Sequence, residues 1–424
     1  MPHQVALTLA ANVRPGEIES LQHMLETMGD GVANGSVVDL GALNGVHFAR
    51  FVLLGEATDL RGEPLPASLL YMSDLDISRE RHLGELVDLA GEGLDRLFGH
   101  CVGYPEGAQR TREGRLAYLR RHRVREQAFY VNTVGRTTRQ IREEADLRDR
   151  IEDFLDGADD LRQKDPIEIR HAVQNYVEAD RSLGWALRPP AGLDLGFRVR
   201  ELGHLVGFPL LVLVLSPLLL LAAPVFVVLL RLHERRDPAP HLKPPPERVQ
   251  ELAALEDHLV HNQFAAIGFV KPGLFRRLTL IGVLYAIDYV TRHVFNRGNL
   301  AGVKTIHFAR WVFLDGKRRV IFASSYDGSL ESYMDDFIDK IAWGLNIVFS
   351  NGYGYPRARW LIADGCRDEL AFKDYLRLHM VPTRVWHSAY GRLTCANIAN
   401  NERIRAGLRG EPGREATKRW LEAL

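Results

Sequence analysis

His47-Phe48-Ala49-Arg50 returns later in the chain as His307-Phe308-Ala309-Arg310, and a four-residue apolar run follows each copy. Other paired landmarks flank this repeat in the same order: Val13-Arg14-Pro15-Gly16 with Val270-Lys271-Pro272-Gly273, Gly103-Tyr104-Pro105 with Gly354-Tyr355-Pro356, and Tyr118–His122 with Tyr375–His379. Similarity at matching positions in a fixed order is the sign of internal duplication. The pattern therefore predicts two copies of one structural unit.

Each unit has the periodicity of a mixed fold. In the first copy it predicts strands at 4–13, 46–54, 67–73 and 127–134 and helices ending near 28, 98, 122 and 155. The core order β-α-β-β-α-β is ferredoxin-like. One such unit leaves a sheet face bare, so we expect an α+β fold in which two tandem ferredoxin-like repeats form an intramolecular, pseudo-dimeric α/β barrel.

The predicted domains are a first repeat at 1–156, a connector at 157–260, and a second repeat at 261–424 that bears the site. Within the connector, 205–230 has no charged residue and is long enough to cross a bilayer, and a proline-rich linker follows at 238–246. Basic residues stand at both ends of the apolar segment, and three prolines interrupt it. These features favour a membrane-embedded helical hairpin over a single span.

The charge balance excludes one class of partner. Lys+Arg and Asp+Glu both total 54, so the basic excess typical of nucleic-acid binding is missing, and we expect no nucleic-acid partner. The three scattered cysteines predict neither a disulfide framework nor a zinc site. The first ten residues lack the order of a signal peptide.

The repeated arginines have two interpretations. Strand alternation places His307 with Ala309 and Arg310 on the opposite face, so the two should not line one pocket. A buried guanidinium needs a partner, for which Asp327 and Asp336 are the candidates. The alternative is that His307 or Arg310 faces a ligand.

The second copy carries more polar and aromatic groups than the first. Trp386-His387 stands where the first copy has Phe129-Tyr130, and Tyr326-Asp327-Gly328 ends the strand that matches 67–73. Such asymmetry is expected when one copy keeps a site and the other supports it. The other interpretation of Asp327-Gly328 is a turn before a helix that Ser329 caps.

The stretch from Asn296 to Pro356 resembles an uncharacterised bacterial membrane-associated family, and the duplicated architecture is similar to that of dye-decolourising peroxidases and chlorite-dismutase-like proteins. Tyr326-Asp327-Gly328 resembles the Gly-x-x-Asp-Gly motif of those peroxidases, although Ser324 stands in place of its first glycine. The resemblance implies one haem in the second copy. His379 or His387 would be the metal ligand, Tyr326 and Trp386 would line the cofactor, and Arg310, Asp327 and His307 would be catalytic.

The sequence thus predicts a membrane-associated oxidoreductase, peroxidase- or oxygenase-like and haem-dependent, that acts on a lipophilic small molecule. The alternatives are a non-catalytic lipid-binding or membrane-organising protein and a cofactor-free barrel enzyme. Membrane lipids are the expected partners, and a homo-oligomer is left open. We expect a location at the cell membrane, monotopic or single-span, with both repeats on the cytoplasmic side.

Overall fold

The computed structural model describes residues 3–30, 37–161, 163–190, 192–238, 240–256 and 260–424, and it is an α+β structure with two main antiparallel sheets. The first half contains β1 (Val5–Asn12), α1 (Ile18–Asp30), β2 (Val46–Leu54), β3 (Ala57–Thr58), β4 (Pro64–Leu65), β5 (Ser68–Leu75), α2 (Arg79–Phe98), α3 (Arg112–Arg121), β6 (Arg123–Val124), β7 (Glu126–Val131) and α4 (Thr138–Asp156). The connector contains α5 (Pro166–Ala179), α6 (Leu195–Arg236) and α7 (Pro246–Ala253). The second half contains β8 (His261–Phe269), α8 (Leu274–His293), β9 (Ile306–Leu314), β10 (Arg319–Asp327), α9 (Leu330–Phe349), β11 (Ala358–Arg359), β12 (Ala363–Asp364), α10 (Glu369–His379), β13 (Val385–Ser388), α11 (Cys395–Gly407) and α12 (Arg414–Leu421).

Matching side chains cap matching helices in the two halves. Ser78 caps α2 and Ser329 caps α9, each accepting a hydrogen bond from a backbone N–H of the first turn. Thr137 and Thr394 do the same for α4 and α11. An N-cap satisfies a backbone donor that has no partner within the helix. The cap predicted at Ser329 is therefore confirmed.

The two halves exchange their last strands. One sheet has the order β13-β2-β5-β1-β6, and the other has the order β7-β9-β10-β8. Thus β13, from the end of the chain, pairs with β2, whereas β7 of the first half pairs with β9. Each sheet needs a strand from the other half to complete its edge.

Within the described residues the two sheets do not close into the expected barrel. The chain passes from one sheet to the other at two corners, and pairing is interrupted at both. Arg125 separates β6 from β7. At the equivalent corner, Met380 bridges to Ala266, and Pro382, which has no N–H to donate, comes before β13.

Buried side chains form a core between the sheets and one on each outer face. Val52 and Met72 of the first sheet pack with Val312 and Ile321 of the second. On the outer faces, α1 and α2 cover the first sheet, and α8, α9 and α10 cover the second. The four layers are therefore helices, sheet, sheet and helices.

The apolar segment of the connector is one continuous helix, α6, so the predicted hairpin is wrong. Its prolines are Pro209, Pro217 and Pro224, about two turns apart. Each proline removes one backbone N–H, and the regular hydrogen bonds between these positions hold the helix together. Among the described helices, α6 is the one that is long and apolar enough to cross a membrane, and its most apolar stretch is entirely unburied.

His82 lies on α2, against the outer face of the first sheet, and it makes the free energy of unfolding depend on pH. Its Nε2 lies 2.9 Å from the Tyr71 hydroxyl, and burial lowers its pKa to about 4. Since the unfolded residue titrates near its ordinary value, acid favours unfolding. We expect its contribution to be complete above pH 6.5 and to fall by roughly 2–3 kcal/mol as the pH drops to 4. Urea unfolding of wild type and His82→Gln across this range would measure it, and parallel pH profiles of the two proteins would contradict the prediction.

Candidate functional site

Two β-bulges bring the repeated histidines to the seam, the region where the two halves of the chain contact each other. His47 is skipped in the pairing of β2 with β5, and His307 is skipped in the pairing of β9 with β10. A bulge adds an unpaired residue and redirects a side chain. The ring of His47 accordingly lies 5.1 Å from that of Phe308, and the ring of His307 lies 5.2 Å from that of Phe48. Strict alternation, which would group His307 with Ala309, is wrong at this position.

Each bulged histidine pairs with an aspartate that also caps a helix. His47 Nε2 lies 3.4 Å from Asp76 Oδ2, which accepts a 2.6 Å hydrogen bond from the N–H of Thr138 at the start of α4. His307 Nε2 lies 2.7 Å from Asp327 Oδ1, and Asp327 Oδ2 accepts a 2.7 Å bond from the N–H of Cys395 at the start of α11. A carboxylate at a helix N-terminus is stabilised by the helix dipole. The two His–Asp pairs therefore have a structural role in common.

The halves differ in the third side chain beside each pair. In the first half this is Gln4, whose amide donates to the carbonyls of Thr133 and Arg136 and accepts from the N–H of Gly135. In the second half it is His261. Its Nε2 lies 2.8 Å from the Leu393 carbonyl and 3.7 Å from Asp327 Oδ1.

Aromatic rings and a small cavity surround these groups. Tyr390 hydrogen-bonds to His47 Nδ1, and its ring lies 5.5 Å from that of His307. A cavity of about 20 Å³ adjoins His47, His307, Tyr390 and Cys395. This volume holds about one water molecule.

Burial and hydrogen bonding together set the protonation of the cluster. Burial, with smaller effects of the neighbouring His307 and Arg142 side chains, lowers the pKa of His47 to about 3. The pKa of His261 is lowered mainly by burial. Burial acts to raise the pKa of Asp327, but the hydrogen bond from His307 and the N–H of Cys395 outweigh it, and the pKa is lowered. The cluster thus holds the carboxylate of Asp327 beside the neutral imidazole of His261.

The repeated arginines cross the seam in opposite directions. Arg310 donates to the Leu7 carbonyl at 2.9 Å and forms an ion pair with Asp74 of the first half. Arg50 donates to the Phe264 carbonyl at 3.0 Å and to the Ser325 hydroxyl at 2.6 Å in the second half. The partners predicted for Arg310, Asp327 and Asp336, are wrong, because the packing of the two sheets face to face brings Asp74 of the other half into contact.

The other predicted site residues lie in separate places. Tyr326 stacks on Tyr333 of α9 at 3.9 Å, in the core outside the second sheet. Trp386 stacks against Phe48 at 6.1 Å, in the core between the sheets. The next residue of β13, His387, lies instead beside Gly41.

His379, the other predicted haem ligand, has an equivalent in the first half. Its Nδ1 lies 2.7 Å from the Tyr375 carbonyl, and its ring packs on that tyrosine at 4.1 Å. His122 makes the same contacts with Tyr118, at 2.9 Å and 3.9 Å. The repetition indicates that both histidines end a helix in the same way.

The residues predicted to hold and use a haem do not lie together. Of the predicted residues, the structure brings together His307 and Asp327, whereas Arg310 is held by Asp74, and His379 and His387 lie apart from that pair. The cavity beside His307 has room for about one water, far too little for a porphyrin.

Sequence reasoning missed His261 because it placed the start of this strand at Phe264. The strand begins at His261, and extending the repeat by three residues would have aligned His261 with Gln4. Asp74 was missed because it contacts Arg310 only through the packing of one sheet on the other. Comparisons of the chain with protein-family models, with curated proteins and with solved structures found no match.

Proposed function

We propose that this chain is a monotopic membrane protein that binds lipid, with α6 lying in one leaflet beside the α+β body. The observation that carries this proposal is that both ends of the apolar helix are fastened to the same neighbouring helix, α8. If α6 crossed a bilayer, the charged body along its side would have to enter the hydrocarbon, which is very costly.

The start of α6 is held at the end of α8. Glu201 forms a 2.8 Å ion pair with Arg292, and His204 Nδ1 lies 2.7 Å from His293 Nε2. The Tyr289 hydroxyl donates to the Leu205 carbonyl at 3.1 Å. The apolar segment therefore leaves from the surface of the body.

The end of α6 is held at the start of α8. Phe275 of α8 contacts the rings of Phe226, at 5.3 Å, and His233, at 4.9 Å. The Glu234 carboxylate accepts the N–H groups of Trp360 and Leu361 at 3.1 and 2.8 Å. The segment thus returns to the face that it left.

We infer that the middle of α6 bows away from the body. Phe208 and Phe226 are about 27 Å apart along an ideal helix, whereas their partners Tyr285 and Phe275 on α8 are about 15 Å apart. The intervening residues are almost all exposed and apolar. Proline is the usual cause of a bend in a helix, and α6 has three. A bowed apolar helix of this kind can enter one leaflet while both of its ends stay at the surface.

The side chains around the two ends of α6 suit a lipid interface. Arg198 and Arg200 are exposed at the start of α6, and Arg235 and Arg236 are exposed at its end. Trp360, about half exposed, lies under the guanidinium of Arg231. Basic and aromatic side chains are typical of the headgroup region, and the positive charge favours anionic lipid on the cytoplasmic side.

We also propose that the halves are ferredoxin-like repeats. The matched element order, the order β6-β1-β5-β2 within the first sheet, and the reciprocal contacts of Arg50 and Arg310 support this. A second candidate function is an oxidoreductase that acts on a lipophilic molecule taken from the bilayer. The buried His–Asp cluster favours it, because imidazole and carboxylate groups transfer protons and bind metals.

Vesicle binding and labelling test the membrane proposal. The three native cysteines are buried, so single cysteines at Arg198 and Arg236 can be labelled selectively. We expect the full chain to float with vesicles containing anionic lipid. An impermeant maleimide added outside should label both positions to the same extent. Protection of one position alone would contradict the monotopic arrangement, and failure to float would contradict membrane binding.

A further inference from the structure

Three side chains near the seam have the spacing of metal ligands. His261, His307 and Asp327 lie on β8, β9 and β10, and one donor atom from each lies within 4.8 Å of the others. The two histidine Nε2 atoms are 3.7 and 2.7 Å from the same carboxylate oxygen, Asp327 Oδ1. Donors that share one ion at about 2.1 Å, with angles of 80–120°, lie about 2.7–3.6 Å apart. The 2.7 Å distance falls within this range and the 3.7 Å distance lies just above it, so a small inward shift of the side chains would let the three donors share a single ion.

Neighbouring groups orient these donors. The Ser388 hydroxyl lies 3.0 Å from Nδ1 of His261, so Nε2 can serve as the ligand nitrogen. The N–H of Cys395 binds the other oxygen of Asp327. Hydrogen bonds of this kind hold metal ligands in position. The Leu393 carbonyl, 2.8 Å from Nε2 of His261, offers a further oxygen once that nitrogen has lost its proton.

The first half provides an internal control. There Asp76 holds the helix start beside His47, and Gln4 occupies the place of His261. The His–Asp pair is therefore common to both halves, whereas the fold does not require a second histidine. His261 is the change that converts a structural pair into a set of three ligands.

We infer that His261, His307 and Asp327 bind one divalent first-row transition-metal ion. Imidazole nitrogen suits zinc, iron, cobalt and similar ions better than magnesium or calcium, which prefer oxygen. Two histidines and one carboxylate are also the donors of non-haem iron oxygenases, so the site deepens the second candidate function. The inference does not depend on membrane binding, which vesicle flotation measures separately.

Cobalt binding tests the site. The untagged full chain in detergent is treated with EDTA, exchanged into buffer and titrated with Co²⁺ while the visible d–d absorption is followed. We expect one Co²⁺ per chain, displaced by Zn²⁺. His261→Gln should bind Co²⁺ at least 30-fold more weakly with an unchanged melting temperature, since glutamine fills this position in the first half. His379→Gln, away from the cluster, should bind like wild type.

Two outcomes would overturn the inference. One is that the wild-type chain shows no saturable binding of Co²⁺ or Zn²⁺ at micromolar concentrations. The other is that His261→Gln retains the affinity and the visible spectrum of the wild type. If His307→Ala fails to fold, His261→Gln still decides the question, because the glutamine keeps a donor for the Leu393 carbonyl.

Discussion

Arg310→Ala is expected to destabilise the protein by about 3–5 kcal/mol, the usual effect of removing one partner of a buried ion pair. Arg310 and Asp74 are both almost fully buried, and they join the two halves. Burial raises the pKa of Asp74, and the charge of Arg310 opposes that shift. Without Arg310, the carboxyl group must either stay charged without its ion-pair partner or take up a proton.

Arg50→Ala is the matched control at the equivalent position. Arg50 donates to the Phe264 carbonyl and the Ser325 hydroxyl, so its loss removes hydrogen bonds to neutral acceptors, and we expect about 1–3 kcal/mol. Urea unfolding of both variants, and of Arg310→Ala combined with Asp74→Ala, would measure the difference. The double variant should be less destabilised than the sum of the two single variants. Equal and small losses for Arg310→Ala and Arg50→Ala would show that the ion pair does not hold the halves together.

Hydrophobic periodicity predicted most of the local structure. The strand expected at 46–54 is β2, Val46–Leu54, and the helix expected to end near 155 is α4, Thr138–Asp156. These patterns were readable because each element buries one face against a sheet or a helix layer. The repeat also made the order of elements in the second half predictable from the first.

Contacts between the halves could not be predicted in the same way. Pairing of β7 with β9 and of β13 with β2 depends on distant segments, and an edge strand has the same local pattern in either sheet. The bulges at His47 and His307 are also invisible to a period-two pattern. As a result, the sequence singled out His307 and Asp327 without predicting their contact, and it assigned the wrong partners to Arg310.

The asymmetry between the halves also drew attention to positions that lie apart from the buried cluster. Trp386 and His387 differ from the first half, yet one packs in a core and the other lies beside Gly41. The difference that matters for the inferred metal site is His261 against Gln4, because it adds a ligand atom next to an existing His–Asp pair. Comparing the two halves of a duplicated chain therefore distinguishes residues that the fold requires from residues that only one half contains.

Leu220→Ser combined with Leu221→Ser is expected to weaken vesicle binding at least 100-fold. Both side chains lie in the bowed part of α6 and are 73% and 77% exposed. Burying a leucine in an apolar medium contributes about 1.5–3 kcal/mol, so removing two should cost about 3–6 kcal/mol of membrane affinity. Partition of the full chain between buffer and vesicles, measured by flotation over a range of lipid concentrations, gives this change directly.

The matched control replaces two leucines that are exposed on the body. Leu89 and Leu370 are 59% and 60% exposed on α2 and α10, outside α6, and serine at both should leave partition unchanged. Equal flotation of the two double variants would mean that α6 does not enter the lipid. If the wild type instead remains a defined oligomer without detergent, and the serines at 220 and 221 dissociate it, the apolar face is covered by a second copy of the chain. The serine pair at 220 and 221 therefore distinguishes membrane insertion of α6 from self-association of the chain through the same apolar face.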